Sequence, residues 1–126
     1  MMSLHFIIGF GFRQNASIES FESALSKLPK LEYYSGICVP EDKIAHEALC
    51  AFAKKLMLPI YGVKREAIVS TITHTQSAKI IEKRHTGSVA EAAALAIFQT
   101  PARLIAARAI SNDRYAVCAI AKGVNL

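Results

Sequence analysis

Three segments of this chain combine residue types suited to holding an anion. The first is Ile8-Gly9-Phe10-Gly11-Phe12-Arg13. Glycines after an apolar strand allow a sharp turn and a close backbone approach to a ligand. Arg13 adds a planar fork that matches a carboxylate or phosphate. The third glycine of a dinucleotide fingerprint is missing, and no acidic residue ends the next strand. A tight structural turn is the competing reading. The second segment is Thr86-Gly87-Ser88-Val89-Ala90-Glu91, preceded by Lys83, Arg84 and His85. Free amide groups at a helix N-terminus attract anions, while Ser88 with Glu91 three residues later also reads as a capping box. The third is Lys43 with Glu47, four apart on one predicted helix face. Such a pair is either a solvated surface pair worth roughly a few tenths of a kcal/mol or a charged contact to a ligand.

Other chemistries find little support. His5, His46, His74 and His85 form no HxH or HExxH spacing, so no metal site is predicted. Cys38, Cys50 and Cys118 are odd in number, lie in apolar stretches and form no CxxC. They are expected to be buried thiols in a reducing, cytoplasmic setting rather than nucleophiles. No Gly-x-Ser-x-Gly elbow occurs, and no cofactor is expected.

The elements that must position these residues follow from periodicity and punctuation. Leu4–Phe10 reads as a strand buried on both faces, with Gly9–Arg13 as the loop after it. Ser17 caps a helix with Ile18, Phe21, Leu25 and Leu28 on one face, stopped by Pro29. Tyr34–Val39 is a second strand. Asp42 is the expected cap of a helix carrying Ile44, Ala48, Leu49, Phe52 and Leu56 inward, and Ile60–Val63 is a third strand. Lys64–His74 reads as a helical turn and a Thr-rich loop, and Gln76–Arg84 as a helix. Val89–Phe98 is apolar nearly all round and should be deeply packed. Arg103–Ile110 and Tyr115–Ala121, joined by Ser111–Arg114, read as an antiparallel hairpin. The expected fold class is α/β, a three-layer α/β/α arrangement. Its sheet is mixed and mostly parallel, of about five strands, with an antiparallel strand at its edge.

The chain has 126 residues, the size of one domain (1–126), and is 52% hydrophobic, which excludes a disordered chain. With no Trp, the core is expected to be aliphatic. No apolar run reaches the roughly 18–20 residues that span a bilayer, and the N-terminal stretch lacks signal-peptide flanks, so no membrane partner is expected. The net charge of +5 favours an acidic partner. The basic residues are scattered and no nucleic-acid-binding signature is present, so nucleic acid is not the expected partner.

Taken in order, the segments resemble the CobE/CbiG C-terminal family. Gly9-Phe10-Gly11-Phe12-Arg13 with Ala16-Ser17 is similar to its Gly-x-Gly-x-Arg-x-x-Ala-Ser opening. Lys43-Ile44-Ala45-His46-Glu47-Ala48-Leu49, then Ala53 to Leu58-Pro59, resembles its Lys-x-x-Asp-Glu-x-x-Leu helix and Leu-x-Leu-Pro strand entry. Thr86–Leu95 is similar to the signature before its last helix. The likeness runs from about Ile8 to Ile120. His46 stands where the family often has aspartate, whereas Glu47 matches.

The resemblance implies work on corrin precursors in cobalamin biosynthesis. CbiG-type members open the δ-lactone of cobalt-precorrin-5A and release a two-carbon fragment. A chain spanning only the C-terminal unit looks most like the stand-alone CobE type. The implied partners are an anionic precorrin or corrin intermediate and other enzymes of the pathway. The implied ligand-binding residues are Gly9, Gly11, Phe12, Arg13, Lys43, Glu47, Thr86, Gly87, Ser88 and Glu91. If a lactone hydrolase or lyase reaction occurs, Glu47 and Ser88 are its catalytic candidates. Two functions therefore stand: a binding or carrier protein, and a hydrolase or lyase.

Overall fold

Strand β1 (His5–Phe12) is inaccessible on both faces from Ile7 onward, as its near-continuous apolar run requires. The computed structural model describes residues 4–75 and 86–126. After β1 come α1 (Ile18–Ser26), β2 (Gly36–Pro40), a 3-10 turn (Glu41–Lys43), α2 (Glu47–Leu56), β3 (Ile60–Val63) and α3 (Arg65–Thr75). Then follow α4 (Thr86–Ala96), β4 (Arg103–Ile110) and β5 (Ala116–Gly123). The predicted helix at Gln76–Arg84 lies outside the described residues.

The five strands form one sheet in the order β3-β2-β1-β5-β4. Pairs β1–β2 and β2–β3 are parallel, whereas β5 is antiparallel to both β1 and β4. Four strands therefore share one direction. The antiparallel strand is not at the edge, as the hairpin reading had it. Strand β5 sits inside, with all eight residues of β1 in register against it from His5↔Gly123 to Phe12↔Ala116. Its sequence explains this: Ala116–Ala121 is wholly buried, whereas β4 carries Arg103 and Arg108 and two register irregularities, features that suit an edge.

Alternation along β1 divides the core. Ile8, Phe10 and Phe12 meet α1 and α2 on one face; Ile7 meets α3 and α4 on the other. The first face is aromatic, contrary to the aliphatic expectation. Phe10 meets Phe21 edge-to-face at 5.1 Å, Phe12 does the same, and Phe21 stacks on Phe52 at 5.7 Å. Such pairs add about 0.5–1.5 kcal/mol beyond the area they bury. The second face is built from Ile7 and Cys38 against the small residues Ala92, Ala93 and Ala94 of α4.

Other boundaries shift for local reasons. Ser17 caps α1 as expected, reciprocally with Ser20. Helix α2 starts at Glu47 with His46, not Asp42, as its cap, so Ile44 stays exposed. Arg65–Thr75 is one continuous helix where a turn and loop were expected; Ile68 packs on the α4 face and anchors it. Tertiary burial overrode the modest helix propensity of its Thr residues.

Candidate functional site

Gly9, Gly11 and Phe12 are not in a loop. All three belong to β1, paired with Ala119, Val117 and Ala116 of β5. No glycine among the described residues has a positive φ, so no special backbone conformation explains Gly9. Packing does: a Cβ there would lie 2.6 Å from the Ala94 amide nitrogen and 2.8 Å from its Cβ. Gly9 admits the backbone of α4, not a ligand. Phe12 is 4% exposed, with Lys43 Nζ 5.3 Å above its ring, so it is a core residue.

The loop begins at Arg13. Its amide donates to the Tyr115 carbonyl at 2.9 Å, and its carbonyl accepts from the Ala16 amide at 3.0 Å. The backbone is thus held on both sides while the side chain stands exposed. Among the described residues, that guanidinium has neither an ion-pair nor a hydrogen-bond partner. Directly opposite is Tyr115, 37% exposed, and beside it Arg114, at φ 66°. A left-handed arginine costs roughly 1–2 kcal/mol; here its amide is tied to the Ser111 carbonyl at 2.9 Å.

That turn is anchored by Asp113. Its carboxylate accepts from Ser20 Oγ and Ser111 Oγ, each at 2.6 Å, and from the Tyr115 amide at 3.0 Å. These donors, those of Ser111 and Ser20 foremost, hold the carboxyl below its ordinary range. The Ser111–Tyr115 turn is thereby fixed to the start of α1.

Helix α4 reaches the same end of the sheet. Gly9 faces Ala90 and Ala94, whereas Gly123, opposite His5, faces Phe98. The helix therefore runs antiparallel to β1, and its first turn, Thr86-Gly87-Ser88, points toward the carboxyl end of β1, the end from which Arg13 follows. Ser88 falls inside that turn instead of preceding it, because the helix starts at Thr86, three residues earlier than expected. Glu91 is partly buried; burial pushes its carboxyl up, with Arg108 acting in the opposite sense.

Lys43 and Glu47 do not share a helix face. Lys43 ends the 3-10 turn and Glu47 opens α2, with His46 capping between them. Glu47 is exposed on the α1/α2 side of the sheet, whereas Ser88 is on α4, on the other side.

Cys50 is exposed, contrary to the expectation for all three thiols. Burial pushes the Cys38 and Cys118 thiols up to about 12. Among the described residues, no three His, Cys, Asp or Glu side chains are grouped to hold a metal ion, and no helix is long and apolar enough to cross a membrane.

Sequence reasoning missed His46, Arg114 and Tyr115. Their only signals were a departure from a motif and a position in what read as an ordinary turn.

Comparison with known proteins bears on the whole chain. Residues 6–121 match the family model described as Cobalamin synthesis G C-terminus. No curated protein matches. One similar solved structure is CobE, a protein from the cobalamin (vitamin B12) biosynthetic pathway. It aligns with a TM-score of 0.79 and 22% identity over 100% of this chain and 96% of that one. Another is the cobalamin biosynthesis protein chiG from Agrobacterium tumefaciens, with a TM-score of 0.68 and 25% identity over 92% and 96%. At these identities the first likeness speaks to the fold.

Proposed function

The chain belongs to the Cobalamin synthesis G C-terminus family, a family of cobalamin biosynthesis, and from that premise we propose that it binds an anionic corrin-ring intermediate at the carboxyl end of its parallel strands. The observation that carries this reading is Arg13, a guanidinium without a partner among the described residues, on a backbone held at both of its polar groups. Corrin precursors carry several acetate and propionate carboxylates, and a guanidinium pairs with carboxylate in a bidentate fork. Open α/β sheets gather ligands beyond the carboxyl ends of their strands.

The other residues supply complementary surface. Tyr115 offers an exposed aromatic face beside Arg13, the role that buried Phe12 cannot take. Arg114 adds a second cation, and the first turn of α4 adds amide groups and a partial positive charge. Binding is favoured over lactone hydrolysis because the two candidate catalytic residues belong to helices packed on opposite faces of the sheet, Glu47 to α2 and Ser88 to α4.

A spectral titration with hydrogenobyrinic acid, a stable polycarboxylate corrinoid, tests the reading. The full chain should shift the ligand's absorbance saturably. Arg13→Ala should weaken binding by about tenfold or more, the range of a lost charge-assisted hydrogen bond, with melting unchanged. Absence of any spectral or mobility change with the wild-type chain would sink the proposal. Turnover of a precorrin lactone would instead restore the enzymatic reading.

A further inference from the structure

The imidazole of His46 is engaged at both nitrogens. Nε2 lies 2.8 Å from the Gln14 carbonyl oxygen, and Nδ1 lies 3.3 Å from the Leu49 amide nitrogen. A carbonyl only accepts and an amide N–H only donates, so Nε2 must carry the proton and Nδ1 must present its lone pair. The two partners together select the neutral Nε2–H tautomer. The ring is also wedged edge-on against Phe12 at 4.9 Å and Phe21 at 6.1 Å. Its orientation is therefore set by two hydrogen bonds of fixed sense and two aromatic faces.

One side chain thus joins two elements. Through Nδ1 it caps α2, taking the third amide of that helix. Through Nε2–H it holds the carbonyl of Gln14, the residue directly after Arg13. Among the described residues, the loop from Arg13 to Ser17 has two other hydrogen-bond ties at its start: the Arg13 amide to Tyr115 and the Ala16 amide to the Arg13 carbonyl. Gln14 and Asn15 are both exposed, and Ala16 is the next residue of the bend buried in the α1/α2 core, so His46 is the side chain that holds the stretch between Arg13 and Ala16.

We infer that His46 is a positioning residue for Arg13, a tether that fixes the bend carrying the guanidinium; this rests on Arg13 being the ligand-binding arm. Ordering the bend before the ligand arrives removes part of the entropy cost of binding. The effect reaches the ligand only through Arg13, because the ring itself is turned inward on Phe12.

Two variants of the full chain separate tether from cap. His46→Ser keeps a short neutral acceptor for the Leu49 amide and cannot reach Gln14; His46→Ala keeps neither. Amide hydrogen exchange reads the result without any ligand. In His46→Ser the Leu49 amide should remain protected while the Ala16 amide exchanges about three- to tenfold faster, the range of one lost hydrogen bond. In His46→Ala both should speed up. Unchanged Ala16 exchange in both variants overturns the tether.

The corrinoid titration reads its purpose. His46→Ser should weaken hydrogenobyrinic acid binding by about three- to tenfold in the wild-type background and by less than about twofold when Arg13 is already alanine, as coupling through one residue requires. Equal losses in both backgrounds mean a role independent of Arg13 and overturn the inference. If the wild-type chain binds no corrinoid, the anion site and the purpose assigned to His46 fall together, while the exchange pattern still decides whether the tether exists.

Discussion

Gly9 of β1 lies against Ala94 of α4 so closely that a methyl group on the glycine would sit 2.8 Å from the alanine Cβ and 2.6 Å from its amide nitrogen. The obstacle is mainly helix backbone, which has no rotamer by which to yield. This contact sets how deeply α4 is seated on the sheet, and through it where the first turn of α4 stands relative to Arg13. A glycine with the spacing of a ligand loop is therefore a packing residue that acts on the site from below.

Gly9→Ala should lower stability by about 1–3 kcal/mol, the usual cost of overpacking a filled core, and Gly9→Val by more. Chemical denaturation should show a reduced midpoint with little change in slope. Stability equal to wild type would mean that α4 is free to lift off the strand.

Asp113 makes stability depend on pH in a stated direction. Its carboxyl is held below the ordinary range by Ser111, Ser20 and the Tyr115 amide. The native state therefore favours the ionised form, and the contribution is present above the unfolded value of about 4. It is lost as pH falls through the lower native value. Asp113→Ala should be less stable than wild type at pH 7, and the gap should close on acidification below about pH 4. Thermal melts of both proteins across pH 3–7 give the comparison; a gap that widens in acid would contradict the hydrogen-bond account.

Glu91 has the opposite sign. Burial on α4 raises its carboxyl above the ordinary value, only partly offset by Arg108. The native state favours the protonated form, so the contribution is fully present below the unfolded value and lost as pH rises through the native one. Glu91→Gln should therefore match wild type near pH 3–4 and become the more stable of the two by pH 7. Equal pH profiles for the two proteins would show that Arg108 compensates completely.

The thiols should divide by exposure. Cys50 is exposed, with its Sγ donating to the Ile44 carbonyl at 3.3 Å, while Cys38 and Cys118 are 0% exposed and pushed up to about 12 by burial. Brief treatment of the folded chain with a thiol reagent at neutral pH should modify Cys50 alone, and denaturant should release the other two. Peptide mapping by mass spectrometry reads the outcome directly.

Much of this architecture was legible in the chain itself. The apolar run of β1, the Ser17 cap, the limits of β3 and β4 and the all-round apolar stretch of α4 each rest on local patterns with a period or a punctuation residue. The family motifs lie in order along that frame, and the α/β class follows from their alternation. What the sequence could not decide depends on contacts between distant segments. Whether Gly9 served a turn or a helix contact depended on Ala94, 85 positions further on. That the α1/α2 face of the core is aromatic depended on Phe10, Phe12, Phe21 and Phe52 converging from three elements. The meaning of His46 required Gln14 and Leu49 at its two nitrogens, and the freedom of Arg13 required the absence of any described partner around it. Local chemistry wrote the elements and the residue types of the site; only tertiary packing chose which of those residues were consumed by the core and which were left facing solvent.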